Sequence, residues 1–150
     1  MRYSSSSSAQ TRKIGEGLVK DLLKTSDRGV LVLALEGDLG GGKTTFLQGL
    51  ARGLGIKEKI LSPTFVIMKK FRIPRKKADS QFQYFYHIDC YRIKKSKDIL
   101  SLGFKEIIAD PKNIVAIEWA ERIKEILPKD KISLKFRFVD RDKRIIIIKK

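Results

Sequence analysis

Gly-Asp-Leu-Gly-Gly-Gly-Lys-Thr, residues 37–44, matches the phosphate-binding pattern G-x-x-x-x-G-K-[ST]. This pattern is informative when a strand precedes it and a helix follows it. Residues 30–35 form a short aliphatic run of the kind found in a buried parallel strand, and apolar residues recur at helical spacing over residues 45–54. The sequence therefore predicts a P-loop, the loop that binds nucleotide phosphates between a strand and a helix.

The residues of this loop have separate predicted roles. Glycines let backbone N–H groups curl around the phosphates, Lys43 supplies positive charge to the β and γ phosphates, and the Thr44 hydroxyl is a ligand for Mg²⁺. We therefore predict ATP with Mg²⁺ as the ligand. The predicted nucleotide-binding residues of the loop are Gly37, Asp38, Leu39, Gly40, Gly41, Gly42, Lys43, Thr44 and Thr45.

Hydrolysis also requires a carboxylate near the metal and a group that orients the attacking water. Asp89 ends the apolar run of residues 82–88, and Glu118 ends the run of residues 114–117. Because parallel strands end at the same edge of a sheet, both acids should lie beside the phosphate loop. Lys43, Asp89 and Glu118 are the predicted catalytic residues, and both acids join Thr44 as candidate metal ligands.

The remaining pattern predicts an α/β fold. We expect a single-domain P-loop NTPase fold with a mixed, mostly parallel central sheet, flanking helices and a C-terminal β-hairpin. Helices are expected around the apolar pattern of residues 14–23, with order beginning near Ala9, and at 45–54, 96–102, 104–109 and 119–127. Strands are expected at 30–35, 65–73, 82–88, 113–117, 132–139 and 145–148. The serine run within residues 1–8 is interpreted as a flexible tail, and residues 9–150 as the ATPase domain.

Several motifs in register resemble the TsaE family, also called YjeE. They are the P-loop, Ser-Pro-Thr-Phe at 62–65, His-Ile-Asp-Cys-Tyr-Arg at 87–92 and Glu-Trp at 118–119. The resemblance covers nearly the whole chain. Two departures stand out: Gly41 replaces a common alanine, with an expected cost of only a little loop rigidity, and residues 72–77 are strongly basic.

The resemblance implies an ATPase of tRNA threonylcarbamoyladenosine biosynthesis that works with TsaB and TsaD and involves tRNA at least indirectly. It implies that Thr44 and Asp89 hold Mg²⁺ and that Glu118 orients or activates water. It also places Ser62 and Thr64 in a switch-like segment and Thr11 near the nucleotide base. Trp119 is expected to lie at the site, whereas His87 is expected to be a structural histidine without a catalytic role.

Composition bears on the partners, the disulfide bonds and the membrane association of the protein. The 33 Lys and Arg exceed the 17 Asp and Glu, for a net charge of +16, which suits a polyanionic partner or reflects a general bias towards lysine and isoleucine. One cysteine, Cys90, excludes an internal disulfide. No apolar run approaches the roughly 20 residues of a membrane span, so we expect a cytoplasmic protein that does not enter a membrane.

Two other functions fit the same motifs. ATP occupancy could set the affinity for a partner without essential turnover, as in a nucleotide-gated binding module. A small-molecule kinase is the other alternative, and it would require an acceptor substrate. The sequence contains no N-K-x-D motif, the motif by which GTPases usually recognise guanine, so it gives no indication of a GTPase.

Overall fold

The computed structural model describes residues 1–24, 29–61, 67–74 and 80–150. In chain order the elements are β1 (Arg2–Ser5), α1 (Ser8–Leu23), β2 (Leu31–Gly37), α2 (Lys43–Gly53), β3 (Met68–Arg72), β4 (Tyr84–Asp89), α3 (Lys97–Leu100), α4 (Phe104–Ala109), β5 (Asn113–Glu118), a 3₁₀ helix (Ala120–Ile126), β6 (Lys131–Phe138) and β7 (Arg144–Lys149).

The strands form one seven-stranded sheet in the order β1-β7-β6-β2-β5-β4-β3. Its centre is parallel, because β2 pairs with β5 and β6, and β4 pairs with β5, in the same direction. Both edges are antiparallel: β3 pairs with β4, β7 with β6, and β1 with β7. The predicted α/β fold with a mixed sheet and a C-terminal hairpin is confirmed, with the parallel pairing confined to the central strands.

The central strands are buried on both faces, which explains their continuous apolar runs. All residues of β5 are buried, as are the first five of β2. On one face Leu33 and Leu35 pack with residues of α1 and α2, including Phe46. On the other face Val32 and Ala34 belong to the cluster formed with α3, α4 and the 3₁₀ helix. This double layer fixes the carboxyl ends of the strands in a rigid frame.

Helices α1 and α2 approach each other closely through glycine. A Cβ atom on Gly49 would lie 1.9 Å from the backbone oxygen of Arg12, and one on Gly15 would lie 2.2 Å from the backbone oxygen of Phe46. Both distances are far inside van der Waals contact, so only glycine fits at these positions. The crossing brings the start of α1 beside the start of α2, where the phosphate loop ends.

The prediction that residues 1–8 form a flexible tail is wrong. Arg2–Ser5 pairs with Arg144–Ile147 of β7, and Ser5 is fully buried. Ser7 caps α1, with its side chain accepting a hydrogen bond from the Gln10 amide at 3.1 Å. Serine lacks an apolar side chain, but an edge strand needs mainly backbone hydrogen bonds, and serine is a preferred N-cap residue. The run therefore supplies a strand and a helix start.

Smaller differences concern the ends of elements. The helix predicted for residues 119–127 is a 3₁₀ helix with non-helical backbone angles at Ile123. The strand predicted for residues 65–73 comprises Met68–Arg72, and residues 65 and 66 lie outside the described part of the chain. The predicted hairpin turn is present, with the Asp140 carboxylate accepting from the amides of Asp142 and Lys143.

Candidate nucleotide-binding site

The phosphate loop joins the carboxyl end of β2 to the start of α2. Gly37, Gly40 and Gly42 have φ angles of 128°, 73° and 95°, values that disfavour any residue with a side chain. Gly42 is the N-cap of α2, and no described side chain caps the helix there. The first amides of α2, together with the positive end of the helix dipole, therefore remain suited to an anion such as phosphate.

Lys43 lies folded over this loop. Its Nζ donates hydrogen bonds to the carbonyl oxygens of Gly37 at 2.7 Å and Asp38 at 2.8 Å. The same nitrogen lies 4.3 Å from the centroid of the Trp119 ring. Burial lowers the pKa of Lys43, and the charge of Glu118 is the largest effect that opposes this shift. The loop thus holds a buried cation close to the place where phosphate charge would lie.

Asp89 and Glu118 end neighbouring parallel strands and are paired in register. Their predicted closeness at one sheet edge is therefore confirmed. Glu118 is buried, with 3% of its surface exposed, and its Oε1 accepts a hydrogen bond from the Thr44 hydroxyl at 2.8 Å. The Asp89 carboxylate accepts from the Tyr91 amide at 2.9 Å. A hydroxyl and two carboxylates thus converge at the end of the phosphate loop.

His87 is buried and hydrogen-bonded, as expected of a structural histidine, and its partner is Glu118 of the site. Its Nε2 lies 2.6 Å from Glu118 Oε2, and the histidine is 1% exposed. His87 precedes Asp89 by two residues on β4, so both point to the same face of the sheet. The H-x-D spacing, read together with an acid at the end of the adjacent strand, is the sequence signal for this contact.

Trp119 has a left-handed backbone, with φ at 56°, and is the only described non-glycine residue with a positive φ. Such a conformation costs free energy and is concentrated at functional sites. The ring packs against Tyr91 with centroids 5.1 Å apart, and Arg122 lies 5.6 Å from it. The sharp turn after β5 therefore brings an aromatic ring over Lys43.

Sequence reasoning missed Arg144, which reaches the loop from the C-terminal hairpin. Its Nε donates to the Gly40 carbonyl at 2.7 Å, and its Nη1 donates to the Asp140 carbonyl at 2.6 Å. The hairpin was predicted, but nothing in its sequence indicates that its turn folds back on the loop. Arg144 connects the far end of the chain to the loop backbone.

These parts surround one open cleft of about 650 Å³. The cleft brings together most of the predicted site residues from distant parts of the chain. Gly37 and Asp38 lie beside it and contact Lys43 through their carbonyls. Ser62 and Thr64 lie outside the described residues. The predicted residues that line the cleft are Thr11, Leu39, Gly40, Gly41, Gly42, Lys43, Thr44, Thr45, Asp89, Glu118 and Trp119.

Gly41 is constrained more tightly than the sequence indicated. A Cβ atom there would lie 2.9 Å from the Asp38 carbonyl oxygen and 3.2 Å from Phe136 Cβ. The expectation that glycine costs only loop rigidity at this position is therefore incomplete. In this chain Gly41 also avoids a close contact between the loop and β6.

The oxygen donors at the end of the loop suit Mg²⁺, which binds hydroxyl and carboxylate oxygens and usually keeps ligands from the substrate and water. Within the described ranges, no group of three or more His, Cys, Asp or Glu residues is placed to hold a metal alone. Thr44 and Asp89 face the cleft, and Glu118 holds the Thr44 hydroxyl. The donor set therefore fits Mg²⁺ as part of a shared site with phosphate oxygens.

A glycine loop between a parallel strand and a helix, with acids at the ends of neighbouring strands, defines a P-loop NTPase fold. The family model described as threonylcarbamoyl adenosine biosynthesis protein TsaE matches residues 5–146. The chain belongs to the TsaE family, as its motifs indicated. This family takes part in the biosynthesis of threonylcarbamoyladenosine in tRNA.

Individual relatives agree with this assignment. The TsaE protein of Rickettsia typhi is 36% identical over 120 residues, which cover 79% of this chain and 77% of the relative. That of Borreliella burgdorferi is 40% identical over 109 residues, or 72% of this chain and 74% of the relative. The crystal structure of Bacillus subtilis YdiB superposes with a TM-score of 0.73 at 29% identity, covering 97% of this chain and 82% of YdiB.

In the parts of the chain that the structure describes, no helix is both long enough and apolar enough to cross a bilayer.

Proposed function

We propose that this chain binds ATP with Mg²⁺ and hydrolyses it to support threonylcarbamoyl modification of a tRNA adenosine, together with TsaB and TsaD. The 2.8 Å hydrogen bond from the Thr44 hydroxyl to Glu118 Oε1 carries the proposal. It joins the last residue of the phosphate-binding pattern to an acid at the end of a neighbouring strand. The residues that we propose for phosphate binding and for hydrolysis thus lie in one site.

Phosphate binding rests on the loop and Lys43. The uncapped start of α2 offers backbone donors to phosphate oxygens. Lys43 can exchange its bonds to the Gly37 and Asp38 carbonyls for a phosphate, because a bond between two charged groups is stronger than one to a neutral carbonyl. Exposed Arg92 and Arg141 also line the cleft and add positive charge around it.

The chemistry of hydrolysis is divided among three side chains. Thr44 and Asp89 hold the metal with the nucleotide, and Glu118 orients or activates the attacking water. When bound, Mg²⁺ would neutralise the negative charge that develops on the phosphate oxygens during the reaction. Lys43 adds fixed positive charge to the same phosphates. Turnover is expected to be slow alone and to increase in an assembly with TsaB and TsaD, the partners that the family resemblance implies.

A nucleotide-gated binding module is a second candidate, and the contacts within the site favour it. Both oxygens of Glu118 are engaged, one by Thr44 and the other by His87. Lys43 is engaged by the loop carbonyls. A site whose reactive groups are held in this way can bind ATP and change its affinity for a partner without rapid turnover.

The two functions are separated by Glu118→Gln in a reconstituted modification assay. We would measure ATP hydrolysis by the purified chain, alone and with TsaB and TsaD, with and without Mg²⁺. Mg²⁺-dependent stimulation by the partners, lost together with tRNA modification in Glu118→Gln, supports the ATPase. Modification that persists in Glu118→Gln with ATP bound but uncleaved supports the gated module instead. If neither partner stimulates ATP hydrolysis, and modification is unchanged when this chain has no ATP bound, both proposed functions are contradicted.

A further inference from the structure

The buried pair of His87 and Glu118 extends the site beyond the groups that face the cleft. His87 lies on β4 opposite Ala116 of β5, and its side chain reaches diagonally to Glu118, two residues further along β5. Both side chains are almost fully buried, with 1% and 3% of their surfaces exposed. A buried carboxylate needs compensating hydrogen bonds, and this histidine lies within hydrogen-bond distance of it.

The hydrogen bonds of Glu118 form a chain that leads to the proposed metal ligand. His87 Nε2 lies 2.6 Å from Oε2, and in the tautomer that carries its hydrogen on Nε2 the ring donates to this oxygen. The Thr44 hydroxyl donates its hydrogen to Oε1. With its hydrogen directed at Glu118, the hydroxyl oxygen of Thr44 has lone pairs left for a cation. The order of contacts is His87, Glu118, Thr44.

We infer that His87 is a positioning residue for the metal site, acting through Glu118 on the Thr44 hydroxyl. The inference rests on the proposed function, because it concerns the Mg²⁺ that accompanies the nucleotide. His87 fixes one oxygen of Glu118, so that the other keeps the Thr44 hydroxyl in a single orientation. A threonine hydroxyl rotates freely unless a partner holds it, and a misdirected hydrogen would point at the metal.

This role differs from that of a merely structural histidine in what it predicts. Removal of a group that orients a metal ligand typically lowers the metal affinity by ~10–100-fold. The backbone amides at the start of α2 and the Nζ hydrogen bonds of Lys43 do not involve His87. Loss of His87 should therefore weaken the Mg²⁺-dependent part of nucleotide affinity and leave the metal-free part nearly unchanged.

The test compares His87→Leu with His87→Gln by isothermal titration calorimetry. The ligand is AMP-PNP, an ATP analogue that resists hydrolysis, titrated in Mg²⁺ and again in EDTA. The Gln side chain places an amide donor close to the position of Nε2, whereas Leu fills the space without a donor. We expect His87→Leu to lose ~10–100-fold in the affinity gained from Mg²⁺. His87→Gln should retain most of that gain, and the EDTA affinities should match the wild type.

A second comparison tests whether His87 acts through Glu118. Glu118→Ala removes the middle member of the chain, so adding His87→Leu to it should cause no further loss of Mg²⁺-dependent affinity, since coupled residues are not additive. Thermal unfolding of each variant gives the folded fraction. A loss in His87→Leu that is equal in Mg²⁺ and EDTA, or that persists fully in the Glu118→Ala background, would overturn the inference.

The wild-type titrations distinguish this inference from the proposed function. A wild-type chain that gains no affinity for AMP-PNP from Mg²⁺ would overturn both. A wild-type gain that His87→Leu leaves intact would overturn the positioning role alone, and the proposed Mg²⁺-dependent function would stand.

Discussion

Lys43→Ala should weaken nucleotide binding by a predictable amount. In the structure Nζ already donates to the Gly37 and Asp38 carbonyls at 2.7 and 2.8 Å, and these bonds must be given up when the side chain turns to a phosphate. We therefore count only one surplus charge-assisted hydrogen bond, which contributes ~1.5–3 kcal/mol. That free energy corresponds to a loss of ~10–150-fold in affinity.

For the stability of the fold, Lys43→Ala loses the two hydrogen bonds to the loop carbonyls but also removes two unfavourable effects. Lys43 is the first residue of α2, where a positive charge opposes the helix dipole, and burial disfavours its charged form. Alanine removes both effects and has a high helix propensity. Thermal unfolding of the variant and of the wild type gives the folded fraction of each, so that weaker binding can be separated from unfolding.

The assay is calorimetric titration of AMP-PNP in Mg²⁺, with Lys57→Ala as the matched control. Lys57 is exposed and follows α2, so its removal changes the net charge by the same amount without touching the cleft. We expect wild-type affinity for Lys57→Ala and the calculated loss for Lys43→Ala. Equal affinities for the two variants would refute the assignment of residues 37–44 as a phosphate-binding loop.

Three further predictions test the fold and the cleft. Gly49→Ala should lower the free energy of unfolding, measured by chemical denaturation, by ~1–3 kcal/mol, because its Cβ would overlap the backbone of α1. Gly17→Ala is the control: a Cβ there meets nothing within 4 Å, so the variant should be neutral or stabilising. Arg144→Lys keeps the charge but loses the guanidinium donor to Gly40, so AMP-PNP affinity should fall several-fold in calorimetry; retained affinity would mean that charge alone matters. Burial raises the pKa of Cys90 to about 12, so iodoacetamide at neutral pH should label this thiol only after unfolding. Labelling of the folded chain should remain slow until the pH approaches that value, and rapid labelling at neutral pH would contradict the burial.

The parts of the fold that the sequence predicted are those with strong local patterns. The apolar run of β2 and the glycine pattern placed the phosphate loop, and the acids at the ends of β4 and β5 placed Asp89 and Glu118 together. Strand ends are informative because the direction of a parallel sheet brings them to one edge. Local patterns were therefore sufficient to predict the central strands, the phosphate loop and the positions of the two acids.

The missed features depend on long-range pairing, which leaves little trace in local sequence. The serine run gives no apolar alternation, yet Ser5 is buried because β7 provides backbone partners from the other end of the chain. Arg144 reaches Gly40 only because the hairpin turn folds over the loop. The H-x-D spacing places His87 on the same face as Asp89, but the contact of His87 with Glu118 also requires the register of β4 against β5, which residue types alone do not specify.

The pairing of β1 with β7 has a consequence for the order of folding. The Met1 amino group donates to the Ile148 carbonyl, so this ladder closes a loop almost as long as the chain itself. Closing so long a loop is entropically costly, and we expect it to follow assembly of the central sheet. The same segment leads into α1, whose Thr11 bonds Ser5 and lines the cleft. Pairing of β1 with β7 would therefore complete the hydrogen bond between Ser5 and Thr11 at the cleft wall after the phosphate loop and the helices have assembled.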